Sequence, residues 1–571
     1  MKLQEAPYEK KITGILAPLF ALRGKNDLGV GDTAALSEMI AWVAEHGFQA
    51  LQMLPIHETG KANSPYEILS AMALEPSTIT THPSWLPDLT QEDYERILLH
   101  DDFTTLQQEK VQYPLVKKCK QELLSAAWSH FQQQETHEQR VQDYHHFQKE
   151  ESHWLDDYTL YRALLERNDN QEDFSCWTPH TRTASAARRW VETLPEQERL
   201  HLEQRRDFFS YVQWIAITQW RKIFVTAESL GVLLIGDLPT GVHHASADVF
   251  SKPELFDTKK FGGAPPEKVF QADPFTMKWG QNWGIPLYRW DEMEHDDFQW
   301  WRRRIRFLRS FFHLLRIDHT LGLFRIYSFP WPPESNADFV SLTPEETQKK
   351  TKGLLPHFVD YADDTAEHRT HNEERGRKLL RLFQEEAGMH NLIAEDLGET
   401  PPYVPVVLKE REIPGFKIPL WIRDADKIMI PARDYPRISV VTYATHDHQP
   451  LRKQWETWQQ EIIEQTPTAS GAEKTIRELL TFIDLPALDP LTPYEGKIHK
   501  ALLTTLYESN SWLAAVMITD LLGLTKAFNQ PGDNTHSSWV ERVESPIASW
   551  NEKYATILAH SDQAVKKSGR C

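Results

Sequence analysis

The sequence has little cysteine and no long apolar run. Its three cysteines, Cys119, Cys176 and Cys571, are far apart in the 571-residue chain and lack the Cys-x-x-Cys spacing of a zinc or redox motif. They predict neither a disulfide framework nor a metal site, and they favour a reducing compartment. No stretch approaches the roughly 18 consecutive apolar residues of a membrane span, and the N-terminal residues lack the apolar core of a secretory signal. We therefore expect a soluble, cytoplasmic protein.

The chain also lacks an excess of positive charge. Its formal net charge is −19. Nucleic acids and anionic lipid surfaces attract clustered Lys and Arg, so this balance predicts no nucleic-acid partner and no membrane partner. Hydrophobic residues at 40% and aromatic residues at 11% are enough for a large core. A globular protein with a neutral or cationic small-molecule ligand fits these values best.

Eight short apolar runs recur along the chain, and most are continuously hydrophobic instead of alternating. This pattern is typical of parallel strands that are buried on both faces. Segments with helical periodicity lie between the runs, so the sequence predicts an α/β fold, a (β/α)8 TIM barrel. The runs are 13–19, 48–56, 231–239, 313–319, 391–398, 415–421, 439–447 and 513–523. The helical segments include 33–46, 207–229, 297–312, 374–387 and 496–509.

Long segments interrupt the alternation of strands and helices. Residues 90–205 are polar and carry helical periodicity in pieces, which predicts a mostly helical insertion. Residues 333–373 and 462–495 are predicted to be smaller insertions. No Gly/Ser-rich linker or internal repeat separates independent modules. We therefore predict one catalytic barrel over 1–571, with helical insertions that form subdomains.

Charged or titratable residues close four of the eight runs. In barrels of this kind, catalytic groups gather at the carboxyl ends of the strands, because the loops there are free to vary while the strands anchor them. A single such residue is more often a solvated loop residue or part of a structural ion pair, as Arg316 and Asp318 could be. The repetition over four strands favours a catalytic site. The residues are Asp237, Arg316, Asp318, His319, Glu395, Asp396, His446 and Asp447.

The carboxylates among these residues suggest a particular chemistry. Arg316 beside Asp318 favours the ionised form of that carboxylate, whereas burial and a neighbouring negative charge favour protonated Glu395. Two carboxyl groups of opposite protonation, held about 5–5.5 Å apart, are the catalytic groups of a retaining glycosidase or transglycosylase. Asp447 would add a third carboxylate, able to bind sugar hydroxyls as the ring flattens towards an oxocarbenium ion.

Ordered motifs give these residues a family context. The chain resembles the amylomaltases, which are the 4-α-glucanotransferases or disproportionating enzymes of glycoside hydrolase family 77 in the α-amylase clan. The resemblance spans roughly residues 12–545. The matching motifs follow in the family's order: "TGILAPLFALRGKNDLGVGD", "NSPYEILSAMALEP", "SADVF", "GGAPP", "GQNWGIPLY", "RIDH", "IAEDLG" and "THD".

The resemblance implies a role for each catalytic residue. It implies that Asp318 is the nucleophile, Glu395 the general acid/base and Asp447 the transition-state stabiliser. It further implies maltooligosaccharides and glycogen-like or starch-like α-1,4-glucans as substrates, glucose as an acceptor, and no cofactor or metal. Tyr66 is expected to stack on the donor sugar, and Trp283 to lie in a loop on the acceptor side. The predicted substrate-binding residues are Ser64, Tyr66, Asp237, Trp283, Arg316, His319 and His446.

Two stretches depart from the common family pattern. "HHASADVF", with His243, His244 and Ala245, replaces a stretch that is often "DSAEVW", and "THDHQPL" replaces the more common "THDND". The first departure changes the side chains available for hydrogen bonding near the third strand.

Two alternatives to a transferase stay open from the sequence. A hydrolase of the same clan would use the same carboxylates, with water in place of the acceptor sugar. A non-catalytic glucan-binding protein could keep the fold without the chemistry. The complete set of Asp318, Glu395 and Asp447 argues against the second alternative, because a protein that only binds glucan need not keep both a nucleophile and an acid.

Overall fold

The computed structural model describes residues 8–100, 103, 105–266, 273–529 and 538–570. Its strands are β1 (Ile12–Leu16), β2 (Ala50–Gln52), β3 (Leu233–Leu238), β4 (Phe256–Ala264), β5 (Gln281–Tyr288), β6 (Leu314–Ile317), β7 (Ile326–Phe329), β8 (His357–Val359), β9 (Leu392–Ala394), β10 (Gly415–Lys417), β11 (Ser439–Val441) and β12 (Leu513–Met517). In this part of the chain, eight parallel strands close into a barrel in the order β1-β12-β11-β10-β9-β6-β3-β2. Each predicted apolar run overlaps one barrel strand, so the predicted (β/α)8 fold is confirmed.

The barrel strands are apolar along their length because both of their faces are buried. In β3, the side chains of Leu233 and Ile235 belong to one buried cluster, to which all eight barrel strands contribute. The intervening Leu234 belongs to a second cluster, formed mainly with the surrounding helices. Alternate residues of a strand point to opposite faces, so one strand supplies both the barrel interior and the outer layer.

Helices surround the barrel and fill the insertions. None of the helices in the described ranges is long and apolar enough to cross a membrane. They are α1 (Thr33–Glu45), α2 (Gln91–Leu98), α3 (Tyr113–Phe131), α4 (Gln139–Arg167), α5 (Ala184–Val191), α6 (Glu196–Ser229), α7 (Ala247–Ser251), α8 (Pro274–Trp279), α9 (Trp290–His295), α10 (Gln299–Arg309), α11 (Pro344–Lys350), α12 (Ala366–Ala387), α13 (Tyr403–Glu410), α14 (Leu451–Glu464), α15 (Ala469–Phe482), α16 (His499–Glu508), α17 (Ile518–Leu522), α18 (Trp550–Lys553) and α19 (Ala555–Lys567).

The segment 90–205, predicted as a helical insertion, contains α2 to α5 and the start of α6. Helix α6 continues without a break past residue 205, so the predicted boundary falls inside one long helix. Trp214 and Trp220 on α6 are buried in the core. The segment 333–373 holds α11 and β8, and 462–495 holds α15. The division into a barrel and subdomains stays a prediction.

A second, smaller sheet was not predicted from the sequence. In the described residues it has the order β5-β4-β7-β8, and its strands pair antiparallel. Strands β4 and β5 lie in the connection after β3, and β7 and β8 in the connection after β6. Neither β4 nor β5 carries a clean apolar pattern, because β4 contains two lysines and two glycines, and its register with β5 shifts twice. This sheet therefore lies at the carboxyl ends of barrel strands β3 and β6, in the connections that follow them.

Candidate active site

A cavity of about 680 Å³ opens at the carboxyl ends of the barrel strands. The loops that follow the barrel strands form one side of it, and the small sheet forms another, with Gln281, Asn282 and Trp283 of β5 in its wall. Most of the predicted site residues line this cavity: Ser64, Tyr66, Trp283, Arg316, Asp318, His319, Glu395 and Asp447. The barrel therefore brings together side chains that are up to 383 positions apart in the chain, from Ser64 to Asp447.

The floor of the cavity is a buried ion pair. Asp237 on β3 is paired in register with Arg316 on β6, and Arg316 Nη1 lies 2.7 Å from both carboxylate oxygens. The hydroxyl of Tyr66 donates a third hydrogen bond to Asp237 Oδ2 at 2.7 Å. The Asp237 side chain has no exposed surface. Asp237 thus holds Arg316 and Tyr66 in place from below the cavity, and its substrate-binding role stays a prediction.

Asp318 follows directly after the last residue of β6. Its Oδ1 accepts a hydrogen bond from Arg316 Nη1 at 3.1 Å, and its Oδ2 accepts one from the backbone N–H of Thr240 at 3.3 Å. Its side chain keeps 18% of its surface exposed to the cavity. Two donors, Arg316 on β6 and Thr240 in the loop after β3, thus fix the carboxylate while leaving it accessible.

Glu395 follows β9 and is nearly buried at 9% exposure. Its Oε2 accepts a hydrogen bond from the backbone N–H of His319 at 2.8 Å, and its Oε1 accepts one from Leu397 N–H at 3.1 Å. Burial is the main cause that raises the pKa of Glu395 to about 8, and the negative charge of Asp318 adds to it, although Arg316 acts in the opposite direction. A carboxyl group with this pKa is mostly protonated at pH 7 and can donate a proton.

His319 has a left-handed backbone conformation, with φ at +42°. Strand β6 ends at Ile317, so His319 is free to turn into the cavity instead of facing the opposite side of the strand. Its ring meets the Trp283 ring edge-on, with the ring centroids 4.8 Å apart. The left-handed turn therefore serves two purposes, since it aims the backbone N–H at Glu395 and places the imidazole against the small sheet.

Asp447 lies in the loop after β11. Its Oδ1 accepts a hydrogen bond from Asn529 Nδ2 at 2.8 Å, and its Oδ2 lies 3.1 Å from His446 Nε2. Burial acts to raise the pKa of Asp447, but His446 and Asn529 together lower it well below its usual range. Asp447 is therefore an anion at neutral pH, in contrast to Glu395.

His446 is buried behind the cavity wall. Only 1% of its surface is exposed, and its ring is stacked on Tyr66 with the centroids 5.2 Å apart and the planes 13° apart. In this structure, His446 contacts Asp447 and Tyr66. The expected direct contact between His446 and sugar stays a prediction.

The family is decided by the whole sequence together with this site. The family model described as 4-alpha-glucanotransferase, glycoside hydrolase family 77, matches residues 17–547. The chain belongs to this family. The predicted resemblance is therefore confirmed.

Relatives and solved structures agree with the family assignment. A 4-alpha-glucanotransferase of Chlamydia caviae is 27% identical to this chain over 546 residues, covering 94% of the chain and 91% of the relative. An amylomaltase from Streptococcus agalactiae, solved in complex with acarbose, has a TM-score of 0.76 at 21% identity and covers 98% of this chain and 100% of that chain. An amylomaltase from Corynebacterium glutamicum has a TM-score of 0.77 at 20% identity and covers 98% and 75%. At these identities, the two structures show the shared fold.

Sequence reasoning missed several cavity residues of this 4-alpha-glucanotransferase family member. Asn529 holds Asp447 but does not close a strand, so the strand-end rule gave no signal for it. Thr240 contributes only its backbone N–H, which no side-chain pattern reveals. Trp421 and His448 line the cavity on the loops after β10 and β11. His448 had a signal, because it stands in the departure from the family pattern.

The other departure, at His243 and His244, packs against the small sheet. His244 Nε2 lies 2.9 Å from the carbonyl oxygen of Thr258 on β4, and its ring is stacked on Phe261 with the centroids 5.3 Å apart. The His243 side chain accepts a hydrogen bond from the backbone N–H of Ala245 at 3.2 Å. His244 thus secures the loop after β3 to the sheet, whereas the His243 contact lies within the loop.

Proposed function

We propose that this chain transfers α-1,4-glucan segments between maltooligosaccharides by a retaining double displacement at Asp318. The observation that carries the proposal is the pair of Asp318 and Glu395 in one cavity, with a fixed, accessible carboxylate on the first and a raised pKa on the second. These are the two carboxyl states that retention requires. Glucose and longer glucans, including glycogen-like and starch-like chains, are the proposed acceptors.

In the first half of the reaction, an Asp318 carboxylate oxygen attacks the anomeric carbon of the donor. The bond between that carbon and the glycosidic oxygen breaks, and Glu395 gives its proton to the leaving oxygen. The product is a covalent β-glycosyl ester on Asp318. Asp447 binds hydroxyls of the same sugar, and those bonds strengthen as positive charge develops on the ring.

In the second half, the 4-hydroxyl of an acceptor sugar attacks the same anomeric carbon. Glu395, now ionised, takes the hydroxyl proton, and the ester bond to Asp318 breaks with net retention. The enzyme returns to its starting protonation state. Arg316 stays beside Asp318 throughout, because its guanidinium is held from below by Asp237.

A hydrolase of the same clan is the second candidate, and it is not favoured, because the family model and the relatives are transferases. Incubation of the protein with maltotriose separates the two functions when the products are resolved by thin-layer chromatography. Transfer yields a ladder of oligomers longer than maltotriose. Glucose and maltose alone would contradict the proposal.

We also propose that the protein works in the cytoplasm. Its described cysteines, Cys119 and Cys176, are both free. Cys571 falls outside the described residues. Free thiols are typical of a reducing compartment, where maltodextrins and storage glucans of the cell would be the substrates. Fractionation of cells that produce the protein, followed by the maltotriose assay on each fraction, tests this location.

A further inference from the structure

The loop after β11 holds a histidine that the proposed mechanism does not use. His448 follows Asp447 in "THDHQPL", where the chain departs from the common family pattern. Its side chain is partly exposed and lines the cavity. A polar ring next to a proposed catalytic carboxylate can bind substrate, or it can simply hold the loop in shape. The hydrogen bonds of its two ring nitrogens distinguish these roles.

One ring nitrogen of His448 faces Thr445, three residues earlier in the same loop. Nδ1 accepts a hydrogen bond from the backbone N–H of Thr445 at 3.1 Å and lies 2.8 Å from Thr445 Oγ1. A backbone N–H can only donate, so Nδ1 carries no proton. Burial lowers the pKa of His448 more than the nearby Asp447 raises it, so the ring is neutral at pH 7. The single proton of a neutral ring is therefore on Nε2.

The Nε2–H of His448 has no acceptor among the described residues of the chain. It lies at the opposite side of the ring from the Thr445 contact, on a residue that lines the cavity. Trp421, also in the cavity wall and 44% exposed, packs against the imidazole at an interplanar angle of 61° with the centroids 4.8 Å apart. Thr445 and Trp421 thus fix the ring from two sides. The Nε2–H of His448 remains available as a hydrogen-bond donor next to Asp447.

We propose that His448 is a further substrate-binding residue, whose Nε2–H donates a hydrogen bond to a hydroxyl oxygen of the α-1,4-glucan bound beside Asp447. The inference rests on the proposed function and deepens it. Sugar hydroxyls accept such bonds readily, and a neutral hydrogen bond of this kind changes kcat/KM by about fivefold to tenfold.

Two substitutions separate the binding role from the loop-holding role. In His448→Asn, the amide can occupy the place of Nδ1 and keep the contact to Thr445, but it cannot reach the place of Nε2. In His448→Gln, the longer side chain carries its amide to the place of Nε2 but gives up the contact to Thr445. We expect the kcat/KM for maltotriose transfer to be about fivefold to tenfold lower in His448→Asn than in His448→Gln. His146→Asn, on the exposed surface of α4, is the matched control and should keep the wild-type value.

A binding measurement makes the test independent of turnover. In an Asp318→Asn background, calorimetric titration with maltoheptaose should show about fivefold weaker binding when His448→Asn is added, and a smaller change with His448→Gln. Equal values for the two His448 variants, or a lower value for His448→Gln, would overturn the inference and leave the proposed function standing. If the wild-type protein makes no oligomers longer than maltotriose, the proposed function fails instead, whatever the titration shows.

Discussion

Arg316 Nη1 lies 2.7 Å from each carboxylate oxygen of Asp237, and this pair is more deeply buried than the contact of Arg316 with Asp318. The two residues are opposite each other in the register of β3 and β6. Arg316 therefore bonds to two carboxylates. Asp237 fixes its position, and Asp318 faces the cavity. A guanidinium held in this way would keep a constant position while Asp318, as the proposed nucleophile, changes charge during the reaction.

Loss of the Asp237 carboxylate should destabilise the fold as well as the site. We expect Asp237→Asn to lower the free energy of unfolding by on the order of 3 kcal/mol, because it leaves the buried charge of Arg316 without its main partner. Urea denaturation followed by fluorescence measures the change. Glu473→Gln is a matched control, because it breaks an exposed pair with Arg477 on α15, which should cost less than about 0.5 kcal/mol. Equal effects of the two substitutions would contradict a structural role for the Asp237 pair.

The nucleophile assignment predicts a loss of turnover without loss of fold. Asp318→Asn keeps the size of the side chain and an oxygen for the Thr240 N–H, but it removes the attacking carboxylate. We expect kcat for maltotriose transfer to fall by at least about 10³-fold. Circular dichroism and the thermal denaturation temperature should stay close to those of the wild type. Full activity in this variant would refute the assignment.

The raised pKa of Glu395 predicts an upper pH limit for the activity of the enzyme. Its raised pKa keeps the proton on the free enzyme up to a pH of about 8, and the first half of the reaction requires that proton. We expect kcat/KM to be constant through neutral pH and to fall as the pH rises through about 8. Initial rates of maltotriose transfer at constant ionic strength measure the profile. Far-ultraviolet circular dichroism over the same range excludes unfolding as the cause, and a fall centred near pH 5 would contradict the raised pKa.

The raised pKa of Asp520, a residue outside the cavity, predicts that the stability of the fold depends on pH. It is buried after β12, its Oδ1 accepts a hydrogen bond from Leu451 N–H at 2.7 Å, and burial raises its pKa to about 7. The folded state therefore binds a proton that the unfolded state has already released between about pH 4 and pH 7. Stability from this group is complete at low pH and is lost as the pH rises through about 7.

Asp520→Asn should remove that pH dependence. The amide oxygen can still accept from Leu451 N–H, and the buried group can no longer become charged. We expect the variant to gain more in thermal denaturation temperature over the wild type at pH 8.5 than at pH 5, because the wild type loses stability from this group between about pH 4 and pH 7. Thermal scans at the two values measure the difference. Asp520→Ala loses the acceptor for the first N–H of α14 and should be less stable than the wild type at both pH values. An equal change in denaturation temperature for Asp520→Asn at both pH values would contradict the raised pKa of Asp520.

The positions of the barrel strands and of three proposed catalytic carboxylates follow from local sequence. Strands buried on both faces need continuous apolar runs, and the residue after each run enters the cavity because parallel strands end at one rim. That rule located Asp318, Glu395 and Asp447. It failed for Asn529, whose contact with Asp447 joins residues 82 positions apart. It also failed for the small sheet, since β4 and β5 pair with shifted register and carry glycine and lysine where a regular strand would carry apolar residues.

The sequence by itself determined the fold class, the family and the rim on which the candidate catalytic residues lie, because these depend on periodicity and on motif order along the chain. Only the tertiary structure decided how the polar residues divide their work. Asp237 and His446 close apolar runs just as Asp318 and Asp447 do, yet both are buried behind the cavity wall. The difference arises from strand register and from the packing of Tyr66 over both of them. Whether a polar side chain lies in the cavity or behind its wall depends on contacts with residues from distant parts of the chain.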